Sequence, residues 1–372
     1  MLGLRIGIVG LPNVGKSTLF NALLRKRVAL SANYPFATVE PNVGVVAVPD
    51  VRLEKLAELV KQEEKMDSLP PVIYATVEFV DIAGLVKGAH KGEGLGNQFL
   101  SHIREVDAVA YVLRCFEDPD VTHVEGRIDP IADAETVETE LLLADLESLE
   151  RRREPLAKKA KSGEKEAKVQ LALIEKALAQ VAEGRPARHA RVAPEEERAF
   201  RQLQLLTAKP ILYVANVDEA SIGGNLRSQK VRERAAAEGA GAVVICAKIE
   251  AELAGLKAED RQDYLQHLGL AEPGLNQLIR EGYRLLDLIT FFTAGPKEAR
   301  AWTVPAGTKA PRAAGAIHTD FERGFIRAET IAFGDFVASG GEQGAKEAGK
   351  MRLEGKEYVV KDGDVMLFRF AP

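Results

Sequence analysis

The chain has 372 residues, with 50 Lys and Arg against 55 Asp and Glu (net charge −5), 46% hydrophobic residues and 28% charged ones. That length predicts two or three domains with ample core. The composition excludes a collagen-like, disordered or disulfide-built chain, and the charge excludes a uniformly basic nucleic-acid binder. Cys115 and Cys246 each lie in an apolar run and read as buried thiols. No leader pattern and no apolar stretch long enough to span a bilayer is found, so the expectation is a cytoplasmic protein with no membrane contact.

Residues 5–9 read as a strand, 16–24 as a helix, 43–48 and 72–81 as strands, 97–105 as a helix and 108–113 as a strand. Near-continuous apolar strands alternating with helices predict an α/β fold with a doubly wound, mostly parallel sheet. The character then changes. Residues 129–150 carry eight acids and no Lys or Arg, whereas 151–202 carry fourteen bases and eight acids. Leu142, Leu146 and Leu149 form one helical stripe; Leu171, Leu173, Ile174, Leu178 and Val181 form another after Ser162-Gly163. Two helices joined by a polar turn predict an antiparallel hairpin. Pro194 opens a further helix, with Glu195–Glu197 in its first turn.

The α/β rhythm resumes with strands at 211–215 and 242–246 and helices at 227–238 and 274–288. Thereafter short strands are predicted at 290–292, 300–303, 316–318, 357–360 and 366–370, with one helix at 320–328. The expected organisation is one α/β domain in two halves, 1–128 and 207–288. A helical arm at 129–206 interrupts it, and a small domain at 289–372 follows.

The sharpest signal is G-L-P-N-V-G-K-S from Gly10 to Ser17, which fits G-x-x-x-x-G-K-[ST] and stands between a predicted strand and helix. Glycines let the backbone wrap around phosphate with its N–H groups inward, and the helix adds its positive end. Asn13, Val14, Gly15, Lys16, Ser17 and Thr18 are the candidate phosphate-side residues. Lys16 would neutralise the outer phosphates and Ser17 would ligate Mg²⁺. Asp81-Ile-Ala-Gly84 ends an apolar strand, where Asp81 would hold the metal through water and Gly84 would sense the γ-phosphate. Gly88, Gly92, Gly94 and Gly96 follow in a loop that reads as a switch. In the earlier loop Tyr34-Pro-Phe-Ala-Thr38-Val-Glu-Pro41, Thr38 is the candidate second hydroxyl on Mg²⁺ and a γ-phosphate sensor.

The base-reading loop is Asn216-Val217-Asp218-Glu219. Guanine-specific relatives of this motif read N-K-x-D. Here Val217 replaces the Lys, and Glu219, one methylene too long, stands in the Asp position, which weakens discrimination for guanine. Asn216 is expected to pair with the purine edge, and Asp218 reaches guanine only if the loop slips. Cys246-Ala247-Lys248 resembles an S-A-K loop whose Ala247 amide faces the purine.

These strings, in the order G-L-P-N-V-G-K-S-T, N-Y-P-F-A-T-V-E-P-N, D-I-A-G-L-V-K-G-A, G-E-G-L-G-N-Q-F-L and N-V-D-E, resemble the Obg-related branch of translation-factor GTPases. More closely they resemble the YchF family of ribosome-binding, Obg-like ATPases, over nearly the whole chain. The resemblance implies a P-loop NTPase sheet, an inserted coiled-coil arm and a C-terminal β-grasp-like TGS domain, the last carried by the segments 291–302 and 317–325. It implies ATP in preference to GTP, because the base motif is N-x-x-E, and a place on the ribosome. Leu85 stands where Ras-like proteins carry a water-orienting Gln, and Tyr111 where many relatives carry a His. His90 and His102 are the alternatives by proximity in sequence. Asn13 is a candidate K⁺ ligand.

The basic run Arg151–Arg153, Lys158, Lys159, Lys161, Lys165 and Lys168 lies near the tip of the arm and suits ribosomal RNA, with the large subunit and a monomeric state expected. The main reading is an enzyme: Mg²⁺-dependent hydrolysis of ATP, with GTP weaker, driving a conformational switch. The alternatives are a nucleotide-bound ribosome or protein scaffold with incidental hydrolysis, and a GTP-preferring GTPase.

Overall fold

The computed structural model describes residues 4–28, 42–82, 95–118 and 127–371. The chain opens with β1 (Arg5–Val9), α1 (Lys16–Val28), β2 (Val43–Ala47), α2 (Val51–Glu63), β3 (Val72–Ile73), β4 (Thr76–Asp81), α3 (Leu95–Glu105) and β5 (Ala108–Arg114). Two long helices follow, α4 (Pro130–Lys161) and α5 (Lys165–Val181), then the short α6 (Glu197–Arg201). Next come β6 (Ile211–Asn216), α7 (Leu226–Glu238), β7 (Gly241–Ile245), α8 (Ala247–Leu253), α9 (Ala258–His267) and α10 (Gly274–Leu285). The last part holds β8 (Leu288–Ala294), β9 (Ala299–Pro305), α11 (Ala310–Ile317), α12 (Thr319–Arg323), β10 (Phe325–Ala332), α13 (Phe333–Ala338), α14 (Glu342–Glu347), β11 (Arg352–Glu354) and β12 (Asp364–Phe370).

The first sheet has the order β2-β4-β1-β5-β6-β7 and is parallel except for β2, which runs antiparallel to β4. β5 and β6 are buried at every position, as helices on both faces of a parallel sheet require. The arm leaves this sheet after β5. Asp129 caps α4 by accepting from the amides of Ile131 and Ala132, with Pro130 in the first turn. The 32 residues of α4 span about 48 Å. α5 returns along α4, and Leu149, Leu173, Ile174, Ala177 and Val181 form a core separate from that of the sheet. No described helix is long and apolar enough to cross a membrane.

The second sheet has the order β11-β10-β12-β8-β9-β3. One face packs α11 around Phe291, Phe325, Met366 and Phe368; the other, through Phe292, Ile331 and Val365, joins the core of the first sheet. Its edge strand β3 comes from the N-terminal half and pairs in parallel with β9.

Several element expectations change. The strand predicted at 72–81 divides in two, and its first part belongs to the other sheet. α2 was not anticipated, although Asp50 accepts from the Arg52 amide as its cap and Leu53, Leu56, Ala57 and Val60 bury one face. The helix expected from Pro194 begins at Glu197 and lasts barely a turn, because 194–196 are spent in a turn closed by the Glu196 amide on the Ala193 carbonyl. The helix expected to reach 288 stops at Leu285, where Asp287, at φ 53°, redirects the chain into β8. The strand expected at 316–318 lies mostly in α11, which buries Ala310, Ala313 and Ala314 at helical spacing. The helix expected at 320–328 is the single turn α12, after which β10 begins. The strand expected at 357–360 is reduced to a bridge between Val359 and Lys309.

Candidate functional site

β1 ends at Val9 and α1 begins at Lys16, so the glycine motif forms the turn between a buried strand and a helix N-terminus. The turn uses left-handed backbone at Asn13 (φ 65°) and Gly15 (φ 91°). Gly15 also admits a close approach: a Cβ there would lie 2.1 Å from Asn216 Nδ2. Val14 is buried at the base of the turn, while Asn13, Ser17 and Thr18 are exposed. The Leu19 amide donates to the Gly15 carbonyl at 3.0 Å, so the helix is formed from its first turn. Its earlier amides have no carbonyl one turn back to bond and form an anion-binding end.

Lys16 Nζ pairs with Asp81 Oδ1, at the end of β4. The two motifs therefore meet at the ends of β1 and β4, which lie side by side in the sheet. Ser17 and Asp81 are hard oxygen donors of the kind Mg²⁺ takes, and Lys16 is the cation between them and the turn. Thr38, Gly84, Leu85 and His90 lie outside the described residues. His102 is exposed on α3.

The base-side loops follow β6 and β7. Asn216 is buried and uses its amide internally: Nδ2 donates to the Val14 carbonyl at 2.8 Å, and Oδ1 accepts from the Ala247 amide at 2.9 Å. It ties the phosphate turn to both base loops. The Ala247 amide, expected to face a purine, is thus committed to Asn216. Val217 is buried, with its amide on the Ile245 carbonyl at 2.9 Å, so the position that carries Lys in N-K-x-D points into the core. Glu219 and Lys248, both exposed, form an ion pair at 2.6 Å across the two loops. Asp218 Oδ1 is buried without a hydrogen-bond partner among the described residues. Burial pushes the Cys246 thiol up, so it is a packing thiol in the loop rather than a nucleophile.

Tyr111 does not reach this site. It is 2% exposed, meets Tyr213 edge-on at 5.9 Å, and has its phenol pushed up by burial and by Glu138. Two side-chain interactions, one beside the site and one in the cleft behind α1, have no counterpart in the sequence reading. Asn225 caps α7 in a reciprocal pair with Ser228 and donates to the Cys115 carbonyl at 2.7 Å, fixing the end of β5 beside the base loop. The N-x-x-S spacing is the signal for it. Lys26 bonds Asn276 beside Glu250, and burial lowers its pKa to about 8; residues this far apart leave no local signal.

A family model described as "50S ribosome-binding GTPase" matches residues 5–145. A model for the C-terminal region of YchF GTPases, described as "Protein of unknown function (DUF933)", matches residues 288–371. The ribosome-binding ATPase YchF of Escherichia coli O157:H7 is 56% identical over 369 residues, 99% of either chain. That of Bacillus subtilis strain 168 is 55% identical over 372 residues, 99% of this chain and 100% of the relative. The solved YchF GTPase of Schizosaccharomyces pombe superposes with a TM-score of 0.87 at 38% identity, over 99% of this chain and 98% of its own. A GTP-binding protein from Pyrococcus horikoshii OT3, at 19% identity and a TM-score of 0.59, shares the fold. With relatives this similar along its whole length, the chain belongs to the YchF family.

Proposed function

We propose that the protein is a Mg²⁺-dependent triphosphatase that hydrolyses ATP in preference to GTP and acts as a nucleotide-driven switch on the ribosome. The observation that carries this is the turn from Gly10 to Ser17, opening α1 with Lys16 held against Asp81. On nucleotide entry Lys16 exchanges Asp81 for the β- and γ-phosphates, and the amides of residues 13–18 bind the phosphate oxygens. Ser17, Asp81 and Thr38 are the residues proposed to hold Mg²⁺, which when bound neutralises charge between the two outer phosphates. Gly84 is the proposed γ-phosphate sensor, and Asn13 the proposed K⁺ ligand.

Preference for ATP is supported by two features of the base loops. Glu219 is longer than the Asp of N-K-x-D, and its carboxylate is engaged by Lys248. Guanine's N1–H and N2–H donors would therefore meet, at the motif's carboxylate position, a group that is misplaced and already paired, which weakens discrimination for guanine. Asn216 keeps one N–H for the purine ring, Lys248 lines the proposed base pocket, and Val217, Cys246 and Ala247, buried behind it, hold the two loops in place.

The ribosome as partner is supported by the relatives' names and by the basic arm tip, whose chemistry fits ribosomal RNA of the large subunit. A monomer working in the cytoplasm completes the reading. Tyr111's burial supports a second reading, a scaffold that holds nucleotide without turnover, because it removes one candidate for orienting water. Phosphate release measured with and without ribosomes separates the two; release in neither condition favours the scaffold. The central test is Lys16→Ala, expected to weaken ATP and GTP binding about a hundredfold, the worth of a charged hydrogen-bonding group. Unchanged affinity for both would defeat the proposal.

A further inference from the structure

The sequence segments read above as nucleotide-facing, 34–41 and 81–96, are joined by a chain that makes a detour. β2 and β4 pair along their length, the Asp81 amide donates to the Asn42 carbonyl at 2.9 Å, and the Val48 amide donates to the Ala75 carbonyl at 2.8 Å. Residues 48 and 75 are thus pinned side by side. Between them, 49–74 leave the first sheet and dock on the second.

The docking occurs at three places. At the start of α2, Arg52 Nη1 meets Asp362 Oδ2 at 2.6 Å, and its guanidinium lies 5.1 Å from the centre of the Phe292 ring. At the end of α2, the Glu63 carboxylate accepts from the amides of Glu342 and Gln343, at 3.1 and 2.6 Å. Beyond it, β3 pairs with β9, and the Ala299 amide donates to the Pro71 carbonyl at 2.9 Å.

Both ends of α2 dock where a glycine leaves room. A Cβ on Gly341 (φ 141°) would stand 2.7 Å from Glu63 Oε2, and one on Gly363 (φ 88°) would stand 3.1 Å from Arg52 Nη1. On its other side the detour borders a cleft of about 1060 Å³, lined by Asp50, Arg52 and Tyr74 opposite Lys26, Glu250 and Asn276. The detour is therefore bonded to the second sheet and separated by open space from α8–α10.

We infer that residues 49–74 transmit the state of the nucleotide site to the C-terminal sheet, and that a partner bound to that sheet sets nucleotide affinity through the same link. This rests on the nucleotide reading of the site. A shift at Asp81 moves β4, β4 carries β2 and the pinned ends of the detour, and α2 and β3 carry the second sheet. Coupling of this kind is reciprocal.

The test is hydrogen exchange of the full chain with Mg²⁺ and a non-hydrolysable ATP analogue, with binding measured by calorimetry on the same samples. In the wild type, saturating analogue is expected to change exchange about fivefold or more, the lower end of typical coupling, at 299–305 and 342–347. The midpoint should equal that of binding. Arg52→Met and Glu63→Ala, made singly and together, are expected to abolish the response at 342–347, where Glu63 docks, while the β3–β9 pairing keeps part of that at 299–305 and the analogue still binds within about threefold of wild type. Trp302, the one tryptophan of the chain and a residue of β9, gives a second readout needing no variant: its emission should shift at the same midpoint. Overturning results are a wild type that binds the analogue with no change at the second sheet, or a response at 342–347 that survives undiminished in the double variant. Failure of the wild type to bind the analogue would defeat the nucleotide reading instead, and the coupling with it.

Discussion

Asn216→Ala distinguishes a strut from a purine reader. The side chain makes two buried hydrogen bonds, one to the Val14 carbonyl at 2.8 Å and one from the Ala247 amide at 2.9 Å. Truncation leaves a buried carbonyl and a buried amide unpaired, at about 1–3 kcal/mol each. The nucleotide-free protein should therefore lose about 2–6 kcal/mol, before any purine is present. Asn216→Asp is the sharper variant, because it is nearly isosteric. It keeps an acceptor for Ala247 but turns a second oxygen toward the Val14 carbonyl, so it should be destabilised at least as much. Trp302 reports only the second sheet, so urea unfolding is best followed by far-ultraviolet circular dichroism. If both variants unfold at the wild-type midpoint without nucleotide, Asn216 is not a strut and the account of how the three loops are joined is wrong.

Lys26 is buried among Glu250, Arg261, Glu272 and Arg280, and burial lowers its pKa from 10.5 to about 8. Below pH 8 both folded and unfolded chains carry its proton and the folded state bears the full penalty, about 3 kcal/mol; between pH 8 and 10.5 the penalty fades as the folded state releases the proton first. Lys26→Met should thus stabilise at pH 7 and lose that advantage by pH 10.5, whereas parallel unfolding curves for variant and wild type would contradict the burial argument. Val217→Lys places an ammonium in a 2%-exposed site, so it should lower thermal stability without raising GTP affinity. Glu219→Asp should raise GTP affinity, and nucleotide titrations of the two check both. Arg188→Met leaves Glu138 buried without its main partner, a change that typically costs about 3–5 kcal/mol; exchange in α4 and α5 should rise while ATP affinity holds. Replacing Lys158, Lys159, Lys161, Lys165 and Lys168 by Ala should weaken ribosome binding and flatten its salt dependence, as loss of phosphate contacts does.

The phosphate side of the site was legible because it is local. Gly10 to Ser17 spells out its turn, and Asp81 meets Lys16 because β4 lies directly beside β1. The helical hairpin was legible from its leucine stripes and from Gly163. The second sheet was less so. β3 has only two residues and cannot show a period, and the segment after His318 reads as helix until Gly324 closes α12. The alternation in Phe325–Ala332, with Phe325, Ala328, Thr330 and Ile331 buried, is interrupted by a register shift between Phe325 and Arg327. α11 and α2 had their signals, three alanines at helical spacing and a capped apolar stripe. Letters alone misplaced Val217: the motif position is aligned, but its side chain lies on the inward side of the loop.

The two appendages have different anchors. The arm root is fixed to the base-reading half: Tyr213 donates to Glu238 at 2.7 Å, Arg234 reaches Glu135 and Glu138 at 3.1 and 3.4 Å, and Arg188 joins Glu138. Asp145 on α4 accepts from the Leu206 and Thr207 amides at 2.8 Å, just before β6 begins. β6 ends at Asn216, so the arm and the base loop ride on one strand and one helix, α7. The second sheet is tied through α2 and β3 to β2 and β4, on the phosphate side, and through Tyr283 of α10, which bonds Ile289, Thr290 and Thr303, to the helix packed beside β6 and β7. Charges this buried are costly to separate, so the arm moves with the base loop as one body and its distant tip amplifies any rotation of that body. In the coupling inferred above, a change at the phosphate side reaches the second sheet through Asp81 and α2. It reaches the arm through β5, which pairs with β1 on one side and β6 on the other and leads into α4, while Asn216 adds a side-chain tie between the Val14 carbonyl and the Ala247 amide.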